Sequence, residues 1–141
     1  MASSSDQRVE IGKLGQFNIR AGYYVYVGSA FGPGGIRARI AHHLKISERP
    51  RWHIDYLRPA MDPIEIWFTF DSRRREHLWA GLLAGHRNAT IPVSRFGASD
   101  CRCESHLTFF IFRPSGAEFR RQIHAALNRH DKILIKNLLT K

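Results

Sequence analysis

The sequence predicts an α/β (α+β) fold, a small mixed or antiparallel sheet flanked by helices. Two short runs, IEIWFTF at 64–70 and LTFFIF at 107–112, are rich in β-branched and aromatic residues and have the length of buried strands. Between and around them lie segments whose apolar residues recur every three to four positions, the period of a helix with one packed face. A hydrophobic content of 43% is enough to give both kinds of element a common core.

Residues 1–7 are small and polar, so a frayed N-terminus is expected. Residues 8–11 and 16–19 alternate polar with apolar around Gly12 and Gly15, which predicts a strand pair. After a turn at Gly22, residues 23–27 form an aromatic, β-branched strand. Tyr23, Val25 and Val27 share one face and Tyr24 and Tyr26 the other, because strand side chains alternate. Residues 28–35 hold four Gly and one Pro, a loop composition. Ile36, Ile40 and Leu44 then repeat at helical spacing, with Arg39 and His43 as a second i, i+4 pair on the adjoining face. Residues 50–57 predict a short helix ending before Pro59. Residues 72–86, with Leu78, Trp79, Leu82 and Leu83, predict a longer one with Asp71 or Ser72 as N-cap. Residues 87–106 lack periodicity. Ser115 and Glu118 form a capping box that opens a helix to about residue 128. The segment 132–141 is basic and amphipathic and reads as a helical tail, leaving 8–131 as the domain.

Charge narrows the function. Twenty-two Lys and Arg against 12 Asp and Glu leave a net charge of +10, so polyanions are the natural partners, nucleic acid before anionic lipid. No apolar run approaches the roughly 20 residues that span a bilayer, and no membrane association is expected beyond a surface contact of the basic tail. The N-terminus has no apolar secretory signal. Cys101 and Cys103 are too close for an easy disulfide, and a reducing cytoplasm is the expected compartment.

The chemistry concentrates after the 23–27 strand. Tyr26 lies two residues before Gly28, where a glycine-rich loop gives a phosphodiester access to backbone N–H groups, and Arg39 and His43 on the next helix can face the same point. A sheet aromatic, a solvated arginine and a surface imidazole would account for the same three residues.

YVGSA at 26–30 followed by RIAHHL at 39–44 resembles the second half-motif and first helix of GIY-YIG nucleases. The run from Gly12 to Leu57, with WHIDYL at 52–57, together with FGASDCRCESHL at 96–107, is similar to the Uri-type branch of that superfamily. The resemblance covers most of the chain. In relatives the GIY half lies on a separate upstream strand, so Gly22, Tyr23 and Tyr24, which sit on the YIG strand itself, cannot supply it. Tyr26 is the matched tyrosine. A G-x-Y strand is expected ahead of Arg8, and residues 1–7 do not provide one. Either the start lies further upstream or that strand and its tyrosine are lost.

What the resemblance implies is a metal-dependent endonuclease hydrolysing phosphodiester bonds in nucleic acid, with DNA the expected form and Mg²⁺ or Mn²⁺ the cofactor. Tyr26 would act as or beside the general base, Arg39 would stabilise phosphate charge, and His43 would assist the nucleophile. Glu76, among Arg73, Arg74 and Arg75, is the candidate metal ligand; a first-turn glutamate favoured by the helix dipole is the alternative. Ser29, Arg37, His53 and Arg74 are candidates for substrate contact. An asparagine that usually follows the glutamate has no firm counterpart among Asn88, Ser99 and Asp100. Trp52 and Tyr56 are expected to pack, with His53 and Asp55 either binding or capping. Cys101, Cys103 and His106 form a candidate zinc set, with His53 or His77 as a fourth ligand, against the alternative of small core thiols. A nucleic-acid-binding module without catalysis is the competing reading. A monomer or weak dimer is expected.

Overall fold

In the computed structural model, residues 1–99 and 101–139 are described. Apolar alternation and tight turns build the centre first. Strand β1 (Ala2–Ser3), strand β4 (Gly22–Tyr26), strand β7 (Leu107–Phe110) and the short β6 (Ala89–Thr90) form one antiparallel sheet in the order β1-β4-β7-β6. The register sets Tyr24 opposite Phe109 and Tyr26 opposite Leu107. Strands β2 (Gln7–Glu10) and β3 (Gln16–Ile19) form a hairpin, and β5 (Glu65–Thr69) pairs with β8 (Ile133–Asn137) as a separate antiparallel ribbon. The helices are α1 (Gly35–Leu44), α2 (His53–Leu57), α3 (Glu76–Ala84) and α4 (Gly116–Ala126).

The period-two alternation of β4 divides the interior in two. Tyr24 and Tyr26 face a core with Ile11, Ile19, Ile54, Leu57, Phe96, Leu107 and Phe109, beneath the β2–β3 hairpin and α2. Tyr23, Val25 and Val27 face another with Trp79, Leu83, Phe110, Phe119, Ile123 and Ile133, beneath α3, α4 and β8. Each large apolar side chain so buried contributes about 1.5–3 kcal/mol, so both faces of the sheet hold the fold. Half of the capping box is formed: the Ser115 hydroxyl accepts from the Glu118 N–H at 3.1 Å, while the Glu118 carboxylate accepts from Gln122 at 3.5 Å and does not reach back to the Ser115 N–H.

Four expectations are corrected. Residues 1–7 are not frayed: Ala2 and Ser3 pair with Tyr23 and Gly22, and Ala2 also exchanges backbone bonds with Asp62 at 2.8 Å. Ladder bonds use only the backbone, so a polar, weakly patterned segment can fill a sheet position. The tail is a strand, because Ile133 and Ile135 are β-branched and the edge of β5 offers an unpaired ladder; a short apolar run is ambiguous between the two periods until a partner appears. Residues 140–141 of that tail lie outside the described residues. The surface contact proposed for a basic helix loses its element. Helix α3 begins at Glu76, with Arg75 at the N-cap position and no side-chain cap. Asp71 instead accepts from the N–H groups of Arg73 and Asp131, tying the approach to α3 to the entry of β8. Finally, the Ile36–Ile40 stripe of α1 is half-buried along a cleft rather than in either core, and Leu44 is exposed.

Candidate active site

The cleft lies where β4 ends. Residues 28–35 lead from Tyr26 into α1, and Gly34 adopts a left-handed φ of 84° at the helix N-cap, a conformation that costs glycine little. Helix α1 then carries Arg39 and His43, one turn apart, back over Tyr26. The first turn of α3 brings Glu76 from the opposite wall, so Tyr26, Arg39, His43 and Glu76 line one cavity of about 430 Å³. Ser29, Phe31, Arg73, Arg74 and Arg75 also line it. A second cavity of about 190 Å³ adjoins it and shares Tyr26, Gly28, Ile40 and His43.

Burial pushes the Tyr26 phenol up to about 12, against the pull of Arg39 and with the push of Glu76 and Asp55, so it is a proton donor at neutral pH. Its ring stands edge-on to His43 and Phe96, with centroids 5.5 and 5.9 Å away. Burial, Arg39 and His42 lower the His43 imidazole to about 4, so it is neutral. Both of its ring nitrogens are buried without a hydrogen-bond partner. An unpaired buried imidazole is costly, and one at a cavity wall is chemically available to a ligand or water there. Glu76 has a side chain only 14% exposed, with Arg74 Nη1 at 3.4 Å and His77 Nε2 at 3.7 Å from Oε1.

Three supports hold these residues, and of them only the capping role of Asp55 is among the expectations from sequence. The Arg39 guanidinium stacks on Trp52, 4.3 Å from the ring centroid, so Trp52 is a 40% exposed platform rather than a packing residue. Arg58 donates to the carbonyls of His43 and Leu44, both at 2.9 Å, and closes the C-terminus of α1. His42 Nε2 donates to Asp55 Oδ1 at 2.8 Å, while Asp55 Oδ2 accepts from the N–H groups of Arg51 and Trp52. Burial alone would raise the Asp55 carboxyl, but these donors outweigh it and hold the group below its usual range. Asp55 is therefore a cap that ties α2 to α1. No sequence signal marks these pairs beyond the presence of Arg, Trp, His and Asp in one short stretch.

Other predicted positions separate. His53 lies outside the cleft and accepts the Gly97 N–H at Nδ1, 2.7 Å away. Arg37 is solvent-exposed on α1 and does not line the cavity. Asn88 sits beside His86 in a separate cavity of about 150 Å³ near α4, and Ser99 is exposed; Asp100 lies outside the described residues. Cys101, Cys103 and His106 do gather, together with His77.

Residues 1–129 match a family described as a domain of unknown function, DUF123. The chain belongs to the DUF123 family. No curated protein and no solved structure matches it. The matched span of this DUF123 chain includes every residue that lines the cleft. Among the described residues, no helix is long and apolar enough to cross a membrane.

Proposed function

We propose that this chain is a metal-dependent endonuclease of the GIY-YIG type, in its Uri-type branch, hydrolysing phosphodiester bonds in nucleic acid, with DNA the expected form. The observation that carries this reading is the convergence of Tyr26, Arg39, His43 and Glu76, from a strand and two helices, on one basic cleft. Arg39 and the Arg73–Arg75 rim supply cations for a phosphodiester backbone, and Phe31, 50% exposed beneath the Arg74 guanidinium, offers a face for a base.

Glu76 fits a Mg²⁺ or Mn²⁺ ion. It presents one hard carboxylate to a cavity with space for phosphate oxygens and waters, the donor set Mg²⁺ prefers. When bound, such an ion supplies Lewis-acid charge and a more acidic water. In hydrolysis, water oxygen bonds to phosphorus as the bond to the leaving oxygen breaks; one water proton ends on the leaving oxygen as the alcohol, and the other stays on the phosphate monoester or passes to solvent. Arg39 stabilises the extra charge on the phosphoryl oxygens. His43, neutral with one free ring-nitrogen lone pair, accepts a hydrogen bond from the attacking water and orients it. Tyr26, held protonated, donates to an oxygen of the reacting phosphate or water. That same protonation weakens it as a base; the second reading is a nucleic-acid-binding module without turnover. The two free cysteines fit work in a reducing cytoplasm.

The test is cleavage of single-stranded, duplex and branched substrates with Mg²⁺ or Mn²⁺. Glu76→Ala and Tyr26→Phe are each expected to lower cleavage by about a hundredfold or more while leaving binding within a few fold. Arg39→Ala should lower both. Binding that weakens steeply with salt, accompanied by no cleavage of any substrate, would leave the binding module in place of the enzyme.

A further inference from the structure

We propose that Cys101, Cys103, His106 and His77 form a tetrahedral zinc site that fastens the first turn of α3 to the loop preceding β7. One ligand atom from each of the four residues lies within 4.8 Å of every other. Bonds of about 2.0–2.3 Å from zinc to nitrogen and sulfur imply ligand-to-ligand edges of about 3.3–3.8 Å. Cys101 Sγ and His106 Nε2 are already 3.4 Å apart, so that edge is formed and the others need only side-chain rotation.

The loop is organised to present its thiols. Arg95, at a left-handed φ of 66°, donates to the carbonyls of Cys101 at 2.6 Å, Cys103 at 2.7 Å and Ala98. The Arg95 N–H also bonds to the Glu104 carbonyl at 2.7 Å, and the His106 N–H to that of Phe96 at 2.8 Å. Three carbonyls gathered on one guanidinium curl the chain around it and leave the side chains of both cysteines turned toward His106. The thiols are half-buried, not enclosed in either core, which separates them from space-filling cysteines. His77 supplies the fourth ligand from α3, its ring 5.7 Å from that of buried His106. His53 is excluded by its bond to the Gly97 N–H.

The donor set selects the metal. Two thiolates and two imidazoles are soft to intermediate ligands in a tetrahedral arrangement, which suits zinc and not magnesium or calcium. Binding releases the two thiol protons, and the two thiolate charges balance the dication. The ion would close a loop between His77 and the cysteine segment, fixing the residue next to Glu76 and, through the Val27 N–H bond to the His106 carbonyl at 2.9 Å, the strand end that carries Tyr26. The site stands independently of the nuclease reading.

The experiment is metal analysis of the full chain purified without chelator, followed by Co²⁺ titration of the stripped protein. About one zinc per chain is expected, with a melting temperature that falls by several degrees on chelation. Co²⁺ should produce a thiolate-to-metal charge-transfer band with the intense visible bands of a tetrahedral ion. Cys101→Ser and Cys103→Ser should each reduce that band by about half or more and the double variant should lose it, and His77→Ala should weaken zinc binding by at least about tenfold, whereas His53→Ala and Glu76→Ala retain it. Absence of zinc together with absence of a thiolate–Co²⁺ band in the wild-type chain overturns the site. Loss of zinc in His53→Ala but not in His77→Ala overturns the assignment of its fourth ligand. Because Glu76→Ala abolishes only the cleft carboxylate, zinc content and cleavage fail separately.

Discussion

The guanidinium of Arg39 rests on the indole of Trp52, 4.3 Å from the ring centroid, and Arg39 lines the cleft that holds Tyr26 and His43. A cation held flat against an aromatic face keeps its edge N–H groups free for a phosphate and loses less side-chain freedom when a substrate arrives. Trp52→Ala should therefore reduce nucleic-acid affinity and cleavage together by about threefold to thirtyfold, the range of one cation–π contact. Trp52→Phe should recover part of the loss. Parallel binding and cleavage assays check this, and an unchanged Trp52→Ala chain would show that Arg39 needs no platform.

Gly97 sits at φ 66°, where an added Cβ would lie 3.1 Å from Tyr26 Cε1 and 3.3 Å from the His106 Cβ. Gly97→Ala should lower stability by about 1–2 kcal/mol from the left-handed backbone alone and displace the Tyr26 ring as well. Gly15, at φ 104° with nothing within 4 Å of its added Cβ, is the control. Gly15→Ala should cost stability without affecting cleavage. Thermal melts and turnover of the two variants distinguish strain from contact.

Asp71 accepts the Asp131 N–H most strongly and overcomes its burial with further help from the Arg73 N–H and Arg75, so its carboxyl falls from 3.8 to about 2. A carboxyl lowered in the native state stabilises it above the unfolded value, and that contribution disappears as pH falls through the native one. Asp71 should thus contribute about 2 kcal/mol near neutrality and lose it between about pH 4 and pH 2. Denaturant unfolding across that window should show a shallower pH slope for Asp71→Asn than for the wild type.

His43 behaves in the opposite chemical sense with the same direction of slope. Its native imidazole titrates near 4 instead of 6.5, so between these values the unfolded chain binds a proton that the native chain refuses, and stability falls as pH drops from 6.5 toward 4. His43→Leu should flatten that slope. It should also leave stability near neutrality within about 1 kcal/mol of the wild type or above it, since an unsatisfied buried polar group is removed, while cleavage is lost. Unfolding curves at pH 5 and 7 with a cleavage assay test both halves.

Local chemistry by itself determined much of this protein. The strand alternation of residues 23–27 correctly assigned Tyr24 and Tyr26 to one core and Tyr23, Val25 and Val27 to the other, because side-chain direction in a strand follows from covalent geometry. The apolar run read as a buried strand over 107–112 forms one over 107–110, with Ile111 and Phe112 exposed beyond it, and the Ser115 N-cap was likewise readable, since its partner lies three residues away. Tyr26, Arg39, His43 and Glu76, the residues that the motif resemblance singled out, line one cavity. Tertiary structure alone decided the rest. Residues 2–3 became a strand because β4 and Asp62 offered backbone partners, and residues 133–137 became one because β5 had an open edge. Trp52 turned outward to carry Arg39, His53 was taken by Gly97, and His77 was brought to the cysteines. In each case the deciding partner is remote in sequence, and a short segment with mixed polarity carries no periodic signal of a hydrogen-bonding edge, a guanidinium or a thiol that only folding brings beside it.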